Sequence, residues 1–336
     1  MYMFKYVMKR LGLMLMTFCI IMFMCFVLIK LLPIPIERSQ GVDPNLTYYR
    51  LEGRGYIRNL VYNDAGVVIG YERVPIMIQM WRYIVNIFTR WDFGIGYSIS
   101  GYMYKPVWDA FIDRLPPTIL INIYSSLIGV PIGLGLGILA ALKKNKWPDQ
   151  VINVVIILLI SMPSIVLGVL IQYVFCYKLQ WFPLTMESGT DYFTWNMFRS
   201  MLPAVFALCL GSIAGYARYT RAELSEVLTN DFMLLARTKG LTRGQATMRH
   251  ALRNSMVVIF PSILSEFIAV LSGSLLIESM FSIPGVGRLY LQSINALDYD
   301  FFMFLSGFYC LVSLLAGIVV DISYGFIDPR IRMGAR

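Results

Sequence analysis

Long stretches of this chain carry no charge, and the charged residues gather in the gaps between them. Leu11–Ile29 has 19 uncharged residues, Leu115–Leu142 has 28, Gln150–Tyr177 has 28 and Ser200–Ala217 has 18. Asn254–Leu291 holds only Glu266, Glu278 and Arg288, and Asp300 and Asp321 bracket a further run of 20. A helix rises about 1.5 Å per residue, so about 20 residues cross the hydrocarbon of a bilayer. The pattern predicts six membrane helices, near 11–32, 119–142, 151–177, 202–219, 255–280 and 302–326. The first is too long for a signal-peptide core and is followed by no small-x-small cleavage site, so it reads as a retained anchor.

Composition agrees with the pattern. Of 336 residues 57% are hydrophobic and 15% charged, far from a soluble domain. The basic excess, 29 Lys+Arg against 20 Asp+Glu, fits loops beside a membrane better than a nucleic-acid surface. Sixteen of these basic residues fall at the N-terminus, in 143–150, in 218–254 and after Asp328, which places those segments and both termini in the cytoplasm. The single histidine, His250, excludes a multi-histidine metal site and the paired histidines of a membrane metalloprotease. Nor can it supply a Ser–His pair at membrane depth. Cys19, Cys25, Cys176, Cys209 and Cys310 all lie in apolar runs and read as small membrane residues, with no metal site.

The fold class is therefore all-α integral membrane, six transmembrane helices with a small extracytoplasmic α+β insertion between helices 1 and 2. The segments are 1–32, the tail and first helix; 33–118, the outer module; 119–327, a five-helix core with loop 218–254; and 328–336, a cytoplasmic tail. Within the insertion, Ile57–Tyr62 and Val67–Glu72 flank Asn63-Asp64-Ala65-Gly66 and predict a β-hairpin. Ile76–Arg90 puts Ile76, Met80, Ile84 and Ile87/Phe88 on one helical face and suits a helix along the outer interface. Pro106 starts a short helix over 107–115, and Pro116-Pro117 then turns the chain into the membrane.

Gly129, Gly133 and Gly137 recur every four residues and predict close helix packing. No G-x-x-x-x-G-K-[ST] is present, so any nucleotide that drives this protein is bound by another chain. In the loop, Thr229-Asn230-Asp231 offers N-caps to 232–236, Gly240 reads as the left-handed residue after that helix, and Thr242-x-x-Gln245 reads as a capping box. The resulting helix–turn–helix exposes Phe232, Met233, Leu235 and Leu241. A groove on a partner protein and an anionic inner leaflet both suit it.

Three carboxylates fall inside apolar segments. Asp321 lies within reach of Arg330 or Arg332. Ser262, Glu266, Ala269 and Gly273 are spaced as one small, polar helical face. Such a face lines a translocation path, or Glu266 is a buried carboxylate bonded to a neighbouring helix; the pattern leaves both open.

Asp231-Phe-Met-Leu-Leu-Ala236-Arg-Thr-Lys-Gly240-Leu241, running to Arg249-His-Ala-Leu-Arg-Asn254, resembles the EAA-type loop of bacterial ABC importer permeases. The likeness is to the dipeptide/oligopeptide/nickel transport permease family, B-type subunit. Trp91–Ser98, Asp113–Thr118, Ser161–Ser164, Gln180–Pro183, Gly273–Gly287 and Asp328–Arg332 resemble its other signatures in order. Glu37–Val74 has no counterpart in that pattern, and no acidic residue directly precedes Ala236. The resemblance implies a non-enzymatic permease subunit of the bacterial inner membrane that passes peptides, or a related small solute, from an extracytoplasmic binding protein. It implies a second homologous permease subunit and two ATPase subunits carrying ATP and Mg, with no cofactor on this chain. Asp231, Phe232, Leu235, Ala236, Gly240 and Leu241 would then couple to the ATPase. Glu278, Pro284, Gly285 and Gly287 would be structural, Glu278 holding the turn that follows it. The alternative, an ion-coupled carrier or channel acting as a homo-oligomer, calls for repeated intramembrane charges or a filter segment, which the sequence lacks.

Overall fold

The computed structural model describes residues 2–32, 43, 45–97, 99 and 101–327. The tail with Arg330 and Arg332, and Ser98 of the Trp91–Ser98 stretch, lie outside the described residues. Five helices are long and apolar enough to cross a membrane, and one bent pair brings the number of crossings up to six. The elements are α1 (Tyr2–Leu31), α2 (Leu46–Gly53), β1 (Ile57–Tyr62), β2 (Val68–Arg73), α3 (Ile76–Arg90), α4 (Val107–Leu142), α5 (Trp147–Ser161) and α6 (Ser164–Ile171). There follow α7 (Trp195–Val227), α8 (Asp231–Thr238), α9 (Arg243–Ala246), α10 (Leu252–Ala269), α11 (Leu275–Met280), α12 (Val286–Asn295) and α13 (Tyr299–Ile327).

Two compact units result. One takes the chain up to Leu11, Pro116–Arg288 and the chain from Val312; the other takes Gly12–Leu115 and Leu289–Leu311. Both units therefore cut across the linear segments read from the sequence, and 289–311 shares a unit with most of the outer insertion.

In the second unit, β1 and β2 pair antiparallel with Ile57 opposite Arg73 and Tyr62 opposite Val68. The Asn63 side-chain oxygen accepts from Ala65 N at 3.1 Å and Val67 N at 2.8 Å, and Gly66 supplies the positive φ of +72° that closes the turn. The helix α3 has the predicted limits. Ile76, Met80, Tyr83 and Ile87 pack against Phe26, Ile29 and Met303. Phe88, expected on that same face, points away and is 85% exposed beside Trp81 and Met77, because position 88 falls past the edge of the 76–80–83–87 stripe.

Two expectations about proline are corrected. The chain does not turn at Pro116-Pro117; α4 runs through both and through Pro131. Proline's fixed φ is helical, and Thr118, fully buried just after the pair, is held by hydrogen bonds to other elements. The third segment, expected to be continuous, breaks instead. Pro163 forces Met162 into an extended conformation (φ −88°, ψ 128°), and the axes on either side differ by 102°.

In the first unit α7 is central. It is longer than predicted and is capped by Thr194, whose hydroxyl accepts from Met197 N. Gly129, Gly133 and Gly137 of α4 lie against it. A Cβ on each would press on Ser212, Tyr216 and Thr220 side chains and on the Cys209, Ile213 and Ala217 carbonyls. Ile156 of α5 packs on Ala214 and Ala217, and Ile259 of α10 packs with Val130 and Tyr216. The Arg221 guanidinium grips Asp149 at the start of α5 with two bonds, 2.6 and 2.9 Å. Asp321 pairs with Arg10 at 2.9 Å; its expected partners Arg330 and Arg332 lie outside the described residues.

Candidate functional site

Three places in the first unit carry the sequence-marked residues. The first is α8 and its exit. Asn230 is its N-cap, and the helix ends in two bonds, Gly240 N to Arg237 O at 3.0 Å and Leu241 N to Ala236 O at 3.3 Å. With Gly240 at φ +90°, this is the Schellman arrangement, and Leu241 tucks back against Ala236. The capping box follows as read: Thr242 accepts from Gln245 N, and the Gln245 side chain accepts from Thr242 N. A π turn over Thr247–Ala251 then joins α9 to α10, so the second helix of the pair continues as a membrane helix.

The faces of α8 differ from expectation. Met233 and Ala236 are buried against Ala141, Leu224, Ala246 and Ala251 of the same chain. Neither is available to a partner. An eight-residue helix of this composition has two apolar sides, and the 233–236 side is the one covered. Asp231, Phe232, Leu234 and Leu235 make the outward side, with Leu234 64% and Leu235 56% exposed. Leu234 was not singled out from the sequence. Beside it lies a cleft of about 470 Å³ lined by Asn230, Asp231, Leu234, Arg237 and Arg243.

The second place is the face of α10 that carries Glu266. Ser262, Glu266 and Ala269 are on α10, but Gly273 is not. The helix tightens to a 3-10 turn over Val270–Ser272 and Gly273 leaves it at φ +67°, so the predicted four-residue face has three members. The Glu266 carboxylate accepts from Ser212 Oγ at 2.7 Å and Ser126 Oγ at 3.3 Å. It opens on a cleft of about 450 Å³ lined by Gly211, Ser212, Gly215, Tyr216, Tyr219, Ser262 and Glu266. The Tyr216 and Tyr219 hydroxyls donate to the Ser262 and Val258 carbonyls, which pins α10 to α7.

The third place is Glu278, fully buried on α11. Its Oε1 accepts from Thr118 Oγ1 at 3.1 Å and Ser274 N at 3.3 Å, and its Oε2 from Arg288 N at 3.1 Å. Thr118 Oγ1 in turn accepts from Val286 N at 2.8 Å. A Cβ on Gly273 or Gly285 would overlap this carboxylate and the Thr118 side chain, and one on Gly287 would sit 3.0 Å from Oε2. The Gly273–Gly287 signature is thus one backbone wrap around one side chain, with the half-buried Pro284 in its turn.

Residues 133–333 match the family of binding-protein-dependent transport system inner membrane components. Over 98% of its length the chain is 32% identical to the dipeptide transport system permease protein DppB of Lactococcus lactis, covering all of that protein. It belongs to this permease family. It is also 32% identical, over 98% of its length and 99% of the relative's, to the glutathione transport system permease protein GsiC of Escherichia coli K12. The fold is shared with a solved amino acid ABC transporter at a TM-score of 0.51 and 20% identity, over 65% of this chain and 94% of that one.

This permease is accordingly a multi-span transport subunit of an ABC importer, a family of the bacterial inner membrane that works with ATPase and binding-protein partners. ATP hydrolysis lies on separate subunits. One feature of the permease had no signal in its sequence. In the second unit Arg54 bridges Asp92 at 3.2 Å and Asp300 at 3.3 Å. Burial lowers the Arg54 pKa, but Asp300, Tyr97 and Asp92 outweigh it and the net shift is upward. Asp300 also accepts from Ile95 N at 3.2 Å, and Asp298 from Tyr97 N at 2.7 Å. In the sequence Asp300 shows only as the edge of the last apolar run, and Asp92 only as part of the Trp91–Ser98 stretch.

Proposed function

We propose that this permease imports short peptides, received from an extracytoplasmic binding protein and driven by two ATPase subunits that carry the ATP and Mg. A second, homologous permease completes the path. The observation that carries the cargo class is end-to-end likeness to permeases named for dipeptide and glutathione transport. Glutathione is itself a peptide, so both names point to one chemistry.

In this reading both termini and the loops at 143–150 and 218–254 are cytoplasmic, as their basic residues favour. The outward side of α8, with Asp231, Phe232, Leu234 and Leu235, docks on an ATPase subunit; Ala236, Gly240 and Leu241 fix its pose from behind. Ser262, Glu266 and Ala269 of α10 face the path. Glu278, Pro284, Gly285 and Gly287 hold the outer turn. The test is uptake of labelled di- and tripeptides by cells with and without the gene for this chain. Loss of peptide uptake on deletion, restored by the chain, is the expected result. Unchanged uptake with loss of another solute would overturn the peptide assignment and leave the importer assignment standing.

A further inference from the structure

An intramembrane carboxylate needs a counter-charge, a full set of hydrogen bonds, or water. Three other carboxylates of the first unit have such partners. Asp149 has Arg221, Asp321 has Arg10, and Glu278 is enclosed by one hydroxyl and backbone N–H groups. Glu266 is different. Its partners are neutral hydroxyls, those of Ser212 and Ser126 with Tyr216 beside them, and among the described residues no Lys, Arg or His forms an ion pair with it. It is half-buried, and it opens on a cleft of about 450 Å³, within the roughly 300–1,000 Å³ typical of small-molecule sites.

The walls of the cleft are equally selective. Gly211, Gly215, Ser212 and Ser262 keep it open with small side chains, while Tyr216 and Tyr219 bring aromatic rings to its edge. Elsewhere the exposed surface of α10 carries Phe260 and Phe267, which suit lipid. A carboxylate with serines and tyrosines does not suit lipid. The chemistry that completes this place is a single cation with N–H donors. An ammonium can bond the carboxylate and lie against the tyrosine rings.

We propose that Glu266 is the subsite for the ammonium group of the cargo, the free amino terminus of a peptide in transit, with Ser212 and Ser126 orienting the carboxylate and Tyr216 and Tyr219 flanking the cation. This deepens the peptide reading and rests on it. It makes Glu266 a specificity-determining residue for charge, unlike Asp149, Asp321 and Glu278, whose partners are in place.

The experiment compares uptake of tri-alanine and N-acetyl-tri-alanine in cells expressing the complete transporter, with wild-type permease, Glu266→Gln and Glu266→Asp. The same binding protein serves all three, so its own preference cancels between rows. Retention of the ATPase subunits and the second permease on affinity-purified permease is measured alongside. Wild type should favour tri-alanine. Glu266→Gln, which keeps an oxygen for the serines but loses the charge, should cut tri-alanine uptake about tenfold or more with its partners retained. It should change N-acetyl-tri-alanine uptake far less, and Glu266→Asp should recover part of the loss. Equal effects of Glu266→Gln on both peptides, or none on either, would overturn the subsite. So would loss of the partner subunits in both variants, which marks a structural carboxylate or one paired with the second permease. If wild type imports neither peptide, the peptide reading fails first and the subsite falls with it; if wild type imports tri-alanine and only the variant pattern fails, the peptide reading stands.

Discussion

Replacing Glu278 with glutamine turns one acceptor oxygen into a donor that faces backbone N–H or the Thr118 hydroxyl. At least one buried donor is then unpaired, at a cost of roughly 1–3 kcal/mol. Gly285→Ala reaches the same spot from the other side, since its methyl overlaps both Glu278 and Thr118. Both variants should lower the heat-stability of the detergent-purified permease, and Thr118→Ser, which keeps the hydroxyl, should lower it less. Wild-type-like melting of Gly285→Ala would show that the wrap opens without cost. The importance of Glu278 was legible from its neighbours in sequence, because Ser274, Gly285, Gly287 and Arg288 are close along the chain. Thr118 was not, as it comes from a helix far upstream.

At the scale of elements, α8 separates two substitutions that look alike on paper. Leu235→Glu places charge on the outward side, so the permease should insert normally and lose ATPase subunits on purification. Ala236→Glu buries a carboxylate beside Leu224, Ala141 and Ala251, an unpaired charge worth roughly 3 kcal/mol or more against folding. It should lower the yield of monodisperse permease in size-exclusion chromatography. Normal yield with selective ATPase loss in Ala236→Glu would return Ala236 to the docking side. The caps around Gly240 and Thr242 were legible because capping is local chemistry between residues a turn apart. Which side of α8 turns inward was not, because that is decided by α4 and α7. The break at Met162-Pro163 shows the converse limit. Apolar pattern alone does not distinguish a proline that bends a helix, as here, from Pro116-Pro117, which a helix absorbs.

For the whole molecule, the basic loops predict sidedness. In a permease stripped of its five cysteines, a new cysteine at Ala65 should react with an impermeant reagent from outside, and one at Gly244 only after the membrane is opened. Both sites are exposed. Labelling of both from one side would break the topology. The continuity of the chain from the 218–254 loop to Glu266 carries a further consequence. Between Arg243 and Glu266 the backbone never leaves a helical state, passing through α9, the π turn and α10. At about 1.5 Å per residue that is a helical path of roughly 35 Å. Gly240, the left-handed residue that closes α8, stands just before its foot. If α8 docks on an ATPase subunit, a shift at the foot reaches the carboxylate along this one helical path, and the widened turn at Thr247–Ala251 and the proline at 261 are places along it where the path can bend.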